Sequence, residues 1–474
     1  MKKSVILLLA LILPLMNSAF SQHDDAEALY QQHCSHCHGA DLRGGNAQSM
    51  VDGIWQFGEG RNYIIRNIKF GIPHLGMPSY QETLTDEEIK SIANYIANLE
   101  KAEAPEMPPL ERNLETLDYI MKSEVFAENL EFPWSIDFVN EELAYITERP
   151  GRLRVVENDR LMEQEVTGIP EVLHAGQGGL MDVALHPDYD ENGWVYLSYS
   201  HVLSNTDNAN RPPAMTRIVR GKIKDYQWVE EEVIYESDPE FYSTRRHHYG
   251  CRIVFDEAGY LYFSLGDRGS RNQAQDIDKP NGKIHRIYPD GSIPEDNPFY
   301  HEDGAIKTIY SYGNRNPQGL AIHPETDELW ETEHGPRGGD ELNLIRTGIN
   351  YGWPVITYGL NYSGSPITDI VQKEGMEQPN LYWKPSIAVC GLDFYSGDEF
   401  PKWNNHLLVG ALKYEEVQLL NITSNRVIHA ETIVKNMGRV RDVAAGPDGA
   451  IYVVLNKPDA VIRLTLERDK YADY

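Results

Sequence analysis

Beyond about residue 110 the chain is written in short alternating or apolar runs, each closed by Gly, Pro, Asp or Asn. Such runs read as β-strands separated by turns. A diffuse unit recurs: an apolar strand, an Asp/Pro/Gly turn, then a second, aromatic-rich strand. Its copies are Trp134–Phe138 with Ala144–Ile146, Gly179–Pro187 with Trp194–Leu197, and Cys251–Asp256 with Tyr260–Phe263. Three more follow: Gly319–Pro324 with Glu328–Trp330, Gly391–Tyr395 with His406–Val409, and Arg441–Gly449 with Ile451–Val454. Copies spaced about 45 to 70 residues apart suit four-stranded blades with loop insertions. Six of them predict a mainly β fold, a six-bladed β-propeller. A β-sandwich is the alternative, but sandwiches rarely repeat a two-strand unit so often. The helical period belongs to the N-terminal part. There Ile89, Ile92, Ala93, Ile96 and Leu99 share one face behind a cap at Thr85 or Asp86.

The flanks of these patterns divide the chain. Lys2 and Lys3 precede the apolar run Val5 to Met16, and Ala19-Phe20-Ser21 offers small residues before Gln22. That predicts a secretory signal peptide over 1–21 and a periplasmic protein. The apolar run is too short to span a bilayer and no later stretch is long enough, so no membrane span is expected. The segment KAEAPEMPP, from Lys101 to Pro109, lacks periodicity and carries three prolines. It reads as a stiff linker, placed at 101–115, between a domain over 22–100 and the propeller over 116–474.

Composition adds one exclusion. The 474 residues hold 43 Lys+Arg against 72 Asp+Glu, a formal charge of −29. A nucleic-acid partner would want a basic stripe, and the acidity reads more simply as a solvated surface.

The chemistry begins at Cys34-Ser35-His36-Cys37-His38, whose C-x-x-C-H spacing reads as covalent attachment of a c-type haem. Cys34 and Cys37 would carry the haem vinyl groups and His38 would be the proximal iron ligand. A zinc site would need a second ligand pair, which does not follow, and a thioredoxin-type site would need a strand–helix setting. Met77, in Gly76-Met77-Pro78, is the expected sixth ligand, and thioether ligation raises the reduction potential. With the amphipathic helix behind it, this part resembles a small class I cytochrome c domain, all-α. Two cysteines remain, Cys251 and Cys390. They read as small buried residues, with pairing in an oxidising compartment as the lesser alternative.

In a propeller the inner strands begin at one face, around the central channel. The polar residues just before the six copies are Gln177, His248, Arg315, Asn316, Lys413, Arg439 and Arg441, a basic cluster in an acidic protein. Converging Lys and Arg groups suit a small multi-carboxylate ligand.

From about Phe132 onward the chain resembles the pyrroloquinoline quinone (PQQ)-dependent soluble glucose and aldose sugar dehydrogenases. The matching segments are 176–187 (GQGGLMDVALHP), 248–252 (HYGCR), 265–267 (LGD), 282–286 (GKIHR), 312–319 (YGNRNPQG), 333–341 (EHGPRGGDE), 350–354 (NYGWP) and 439–442 (RVRD). The resemblance implies that His248 is the catalytic base, Asp267 its orienting partner, and Arg315 the group that stabilises charge on the quinone. It places Gln177 and Asn316 at cofactor or substrate and Lys413, Arg439 and Arg441 on PQQ carboxylates. The backbone carbonyls of Gly335 and Pro336 would bind a Ca²⁺ that bridges to PQQ. Asp340, Glu341 and Tyr351 fall where some members hold a second Ca²⁺. The implied reaction oxidises the anomeric hydroxyl of an aldose to a lactone, with electrons passing to the chain's own haem and then to a downstream acceptor. His247 adjoins His248, and only one of two successive residues can face the cofactor; the spacing to Arg252 favours His248. Trp383 belongs either to the sugar pocket or to the core. A non-catalytic propeller that binds a partner, as in hedgehog-interacting proteins, and a Ca²⁺-dependent lactonase are the competing readings.

Overall fold

A computed structural model describes residues 25–44, 47, 49–51, 55, 60–72, 76–103, 109–203 and 211–472. The expected signal peptide, 1–21, lies outside the described residues. The chain divides into two compact units that part between Pro108 and Pro109. Among the described residues no helix is long and apolar enough to cross a membrane.

The first unit is helical. Residues 25–33 form a helix, followed by the single turn Ser35–His38, then Arg61–Phe70 and Asp86–Glu103. The last helix starts with a reciprocal cap. The Thr85 N–H donates to Glu88 Oε2 at 2.7 Å and the Glu88 N–H to Thr85 Oγ1 at 3.3 Å, so two otherwise orphaned donors are satisfied. The face read from the sequence is the buried one: Ile89, Ile92, Ala93 and Ile96 close a core with Tyr30, Cys34, Ile64 and Ile68. This helix runs to Glu103, and the first strand of the second unit begins at Arg112. The expected linker, 101–115, is therefore shorter than drawn, because helix propensity carries past Lys101 and strand pairing starts before Thr116.

The second unit is a ring of six antiparallel sheets. Its inner strands are Pro133–Asn140, Leu180–Leu185, Ile253–Phe255, Pro317–Ile322, Val389–Phe394 and Arg439–Ala445. Each copy read from the sequence supplies one of them. Five sheets have four strands; the sixth has five, and its outer two, Arg112–Glu115 and Tyr119–Ala127, come from the start of the unit. Tyr119–Ala127 pairs with Ala460–Asp469 in the register Ser123↔Leu464. The ring is thus closed by joining its two chain ends in one sheet, which leaves no open seam between first and last blades.

Aspartates on the inner strands tie neighbouring blades together. Asp137 Oδ2 accepts the Leu185 N–H at 2.8 Å, Asp182 Oδ2 that of Ile253 at 2.7 Å, and Asp393 Oδ2 that of Ala445 at 2.9 Å. A backbone N–H at a blade junction has no ladder partner, and burying it unpaired would be costly. The cost is carried by the carboxylates: burial pushes Asp137 and Asp393 up to about 7. These groups surround one end of the channel. The other end, where the inner strands begin, holds the site.

Candidate active site

His248 precedes the third inner strand, held in the left-handed region at φ 56°. Its imidazole Nδ1 lies 2.6 Å from Asp267 Oδ1. Asp267 follows the neighbouring strand Leu261–Leu265 and is 1% exposed. Its carboxylate is fully used: Oδ1 also accepts the Gly269 N–H at 2.6 Å, and Oδ2 accepts the indole Nε1–H of Trp353 at 2.9 Å. Burial works to raise the Asp267 carboxyl, but the hydrogen bond and charge of His248, with Arg315 and the Gly269 N–H, outweigh it and hold it below its ordinary value. Burial and the nearby charge of Arg315 hold His248 down at about 4, against the pull of Asp267. At neutral pH the imidazole is therefore neutral, with Asp267 accepting from Nδ1–H, which leaves Nε2 as a proton acceptor. It is His248, not His247, that meets Asp267.

Gln177, exposed at the channel mouth, accepts the His248 N–H through Oε1 at 2.7 Å. Arg315, 6% exposed, donates from Nη1 to the carbonyls of His334 and Gly335 at 2.7 and 2.9 Å. The backbone of Arg315 and Asn316 is pinned from below, because Glu333 Oε2 accepts both of their N–H groups. Asn316 is fully buried; its Oδ1 accepts the Gly250 N–H at 3.3 Å and its Nδ2 has no partner. Among the described residues, Arg441 donates to Gln318 Oε1 and Cys390 Sγ, both at 3.5 Å, and lies over the Trp134 ring at 5.8 Å, while its Nε is also unpartnered. Lys413 is exposed, 3.4 Å from the Ser386 carbonyl. Cys251 and Cys390 are buried and unpaired.

Sequence reasoning missed Arg149. Its guanidinium holds the carbonyls of Gly176 and Gly178, on either side of Gln177, and sits close enough to Arg441 to feel its charge. Burial and that charge bring Arg149 down to about 10, and burial followed by Arg441 lowers Arg439 as well. Trp353 and Glu333 stood inside matching segments, yet nothing in their spacing marked them as partners of the dyad and of Arg315.

Of the residues expected to hold a second Ca²⁺, Asp340 and Tyr351 already have protein partners. Both oxygens of Asp340 are occupied: Oδ1 by the Gly335 N–H at 2.8 Å and Ser386 Oγ at 2.6 Å, Oδ2 by the N–H groups of Ala388 and Val389 at 2.6 and 3.3 Å. Asp340 is a latch that fixes the 334–339 turn to the next blade. The Tyr351 hydroxyl is likewise engaged, donating to the Leu344 carbonyl at 2.6 Å. Glu341 stands opposite Glu333 in the strand register, and burial together with that neighbour pushes it up. Among the described residues no three His, Cys, Asp or Glu side chains converge on a metal position. The carbonyls of Gly335 and Pro336 are a donor set of another kind. Trp383 proves to be a core residue, 3% exposed and donating to Gln418 Oε1 at 3.0 Å.

In the first unit, Cys34, Cys37 and His38 lie within one turn, the N–H groups of Cys37 and His38 both reaching the Cys34 carbonyl at 3.2 and 3.1 Å. Met77 packs, partly buried, against the core cluster that contains Cys34.

Arg149, Arg315, Arg439 and Arg441, without carboxylate ion pairs among the described residues, thus share the propeller with the His248–Asp267 dyad. The chain belongs to the Glucose / Sorbosone dehydrogenase family, which it matches over residues 130–464. Residues 21–96 match the family described as cytochrome C oxidase, cbb3-type, subunit III, so a cytochrome c domain precedes the propeller. The chain is 40% identical over 340 residues to the aldose sugar dehydrogenase YliI of Escherichia coli (strain K12), covering 70% of this chain and 90% of that one. The crystal structure of the soluble aldose sugar dehydrogenase (Asd) from Escherichia coli in the apo-form superposes with a TM-score of 0.69 at 39% identity, over 73% of this chain and 100% of that one. The PQQ-bound form of the aldose sugar dehydrogenase (Adh) from Streptomyces coelicolor gives a TM-score of 0.59 at 25% identity, over 76% and 100%.

Proposed function

We propose that the protein is a periplasmic quinohaemoprotein that oxidises the anomeric hydroxyl of an aldose to the lactone, using PQQ and Ca²⁺, and passes the electrons to its own c-type haem. The observation that carries this reading is the unneutralised cation ring. In a chain of formal charge −29, Arg149, Arg315, Lys413, Arg439 and Arg441 have, among the described residues, no carboxylate within ion-pair distance. Partly buried like charges that repel one another are costly without a counter-anion. The unpartnered Asn316 Nδ2 and Arg441 Nε ask for the same thing. A tricarboxylate fits this donor set.

Arg439, Arg441 and Lys413 would hold the carboxylates of PQQ, with Gln177 and Asn316 beside it. The carbonyls of Gly335 and Pro336 would bind Ca²⁺, a hard cation that takes neutral oxygen ligands. When bound, PQQ with Ca²⁺ supplies a two-electron acceptor for the anomeric C–H. The residues do the rest. His248 Nε2 takes the hydroxyl proton, Asp267 stabilises the imidazolium that results, and Arg315 places positive charge where negative charge develops. Cys34, Cys37, His38 and Met77 would hold the haem.

The test is a visible spectrum of the full chain loaded with PQQ and Ca²⁺, before and after adding each of a panel of aldoses without dye. Reduced c-type haem bands that require sugar, PQQ and Ca²⁺ together support the whole reading. Reduction of an added dye with the haem left oxidised would remove the internal relay. No reduction of either would leave a propeller that binds without oxidising.

A further inference from the structure

The residue after Asp267 is a fully buried arginine. Arg268 is 0% exposed and, among the described residues, has no carboxylate partner. It spends its donors on backbone instead. Nη1 donates to the His247 carbonyl, and Nη2 to those of Arg245 and Ala214 at 2.7 and 3.2 Å. Its guanidinium carbon stacks 3.5 Å from the centroid of the Tyr249 ring. Arg268 therefore grips the segment 245–249 on both sides of His248. The grip falls where the backbone is least willing: His248 and Arg268 both sit in the left-handed region, at φ 56° and 50°. Side chains with a Cβ are held there only when their surroundings insist.

The other half of the dyad is held just as closely. Trp353 donates its indole N–H to Asp267 Oδ2. Its own backbone is fixed by the Gly313 carbonyl, which accepts the Trp353 N–H at 2.8 Å, and by Gln275 Nε2, which donates to the Trp353 carbonyl at 2.7 Å. The guanidinium of Arg315 lies over its ring at 5.4 Å.

We infer that Arg268 and Trp353 are positioning residues for the base: Arg268 fixes the strained backbone that aims His248, and Trp353 fixes the carboxylate that orients its imidazole. Neither acts on the proton itself. This rests on the proposed role of His248. The titratable and charged groups around the imidazole are Asp267, Arg315, His247 and His334, with Glu333 beyond Asp267.

The test compares the full chain with Arg268→Lys and Trp353→Phe. A lysine keeps the charge but cannot reach three carbonyls in a fixed fork. A phenylalanine keeps the ring but removes the donor. Each protein, loaded with PQQ and Ca²⁺, is assayed with a dye acceptor; PQQ affinity is measured separately by calorimetry. The His248 imidazole is titrated by NMR in protein without cofactor. The expected result is a kcat lowered about 10- to 100-fold in each variant, with KM and PQQ affinity within about threefold of the parent. In Trp353→Phe the His248 midpoint moves up, because Asp267 with one donor fewer binds the imidazolium more strongly. An unchanged kcat in folded variants overturns the inference. So does a kcat that falls in step with PQQ affinity, which would mark a general structural role. If the parent oxidises no sugar, it is the dehydrogenase reading that has failed; the NMR titration then decides alone, and His248 signals unchanged in both variants overturn the positioning role.

Discussion

Arg252 Nη2, at the start of the third blade, meets Asp442 Oδ1 of the sixth across the central channel at 2.7 Å, while its Nη1 reaches Asp182 of the second at 2.8 Å. One buried guanidinium thus joins the second, third and sixth blades. Burial raises both carboxyls, Asp182 to about 6, with the Arg252 charge opposing the rise. The energetic weight of such a group lies in what it leaves behind. Arg252→Met would strand two buried carboxylates, and a broken buried pair costs about 3–5 kcal/mol. Urea denaturation of the variant should show a loss of that order, partly restored by adding Asp182→Asn. A loss below about 1 kcal/mol would mean that the triad is solvated enough to be replaceable.

The dyad makes a prediction with a definite sign. His248 is held at about 4 when folded and has an ordinary value of 6.5 when unfolded. Between those limits the unfolded chain binds the extra proton, so stability rises with pH across the window and levels off above about 6.5. Going down, His248 withdraws on the order of 3 kcal/mol between pH 6.5 and 4. His248→Gln should lack that slope. Melting curves of the parent and the variant without cofactor, taken at intervals across this range, should diverge as pH falls, with the parent losing more. Parallel curves would mean that His248 titrates normally. In the proposed reaction the same depression keeps the base neutral through the physiological range, and replacing it should lower kcat about 10²- to 10⁴-fold.

Much of this site is legible in the amino-acid sequence, for a physical reason. Inner strands must be apolar, their ends must turn, and the residues that open them must converge on the channel, so the position of His248 or Arg441 within a repeat already places it. Asp267 is legible as a carboxylate directly after a strand. Arg268 and Trp353 are not, since their partners are carbonyls and an oxygen supplied by other blades, and no spacing records that. The donors to Asp340 are illegible for the same reason. As sequence Asp340 is one more acidic residue in a turn, while in the fold it answers four donors from its own turn and the next blade.

The cation ring predicts opposite effects in the empty and loaded protein. Arg441 lowers the proton affinity of both Arg149 and Arg439, which is to say that it repels each of them. Arg441→Ala should therefore leave the melting temperature of cofactor-free protein unchanged or slightly higher. The same change removes a charge-assisted donor to the ligand, and PQQ affinity measured by calorimetry should fall about 10- to 100-fold. A variant that is destabilised without cofactor, and binds PQQ as before, would show that Arg441 serves the fold through Gln318 and Cys390 instead.

The proposed relay turns on Met77. A Met/His pair of axial ligands raises the haem potential, which an electron acceptor fed by a reduced quinone requires. Met77 lies partly buried against the core that includes Cys34, with Tyr80 in the same group. Met77→Ala should leave the haem covalently bound, because Cys34 and Cys37 are untouched, and lower its reduction potential by on the order of 100 mV or more. Dye reduction by the propeller should then continue at the parent rate while sugar-dependent haem reduction slows or stops. Redox titration followed in the visible band separates the possibilities. A potential unmoved by Met77→Ala would assign the sixth position to another group, and haem reduction that persists at an unchanged rate would show that the driving force does not depend on this thioether.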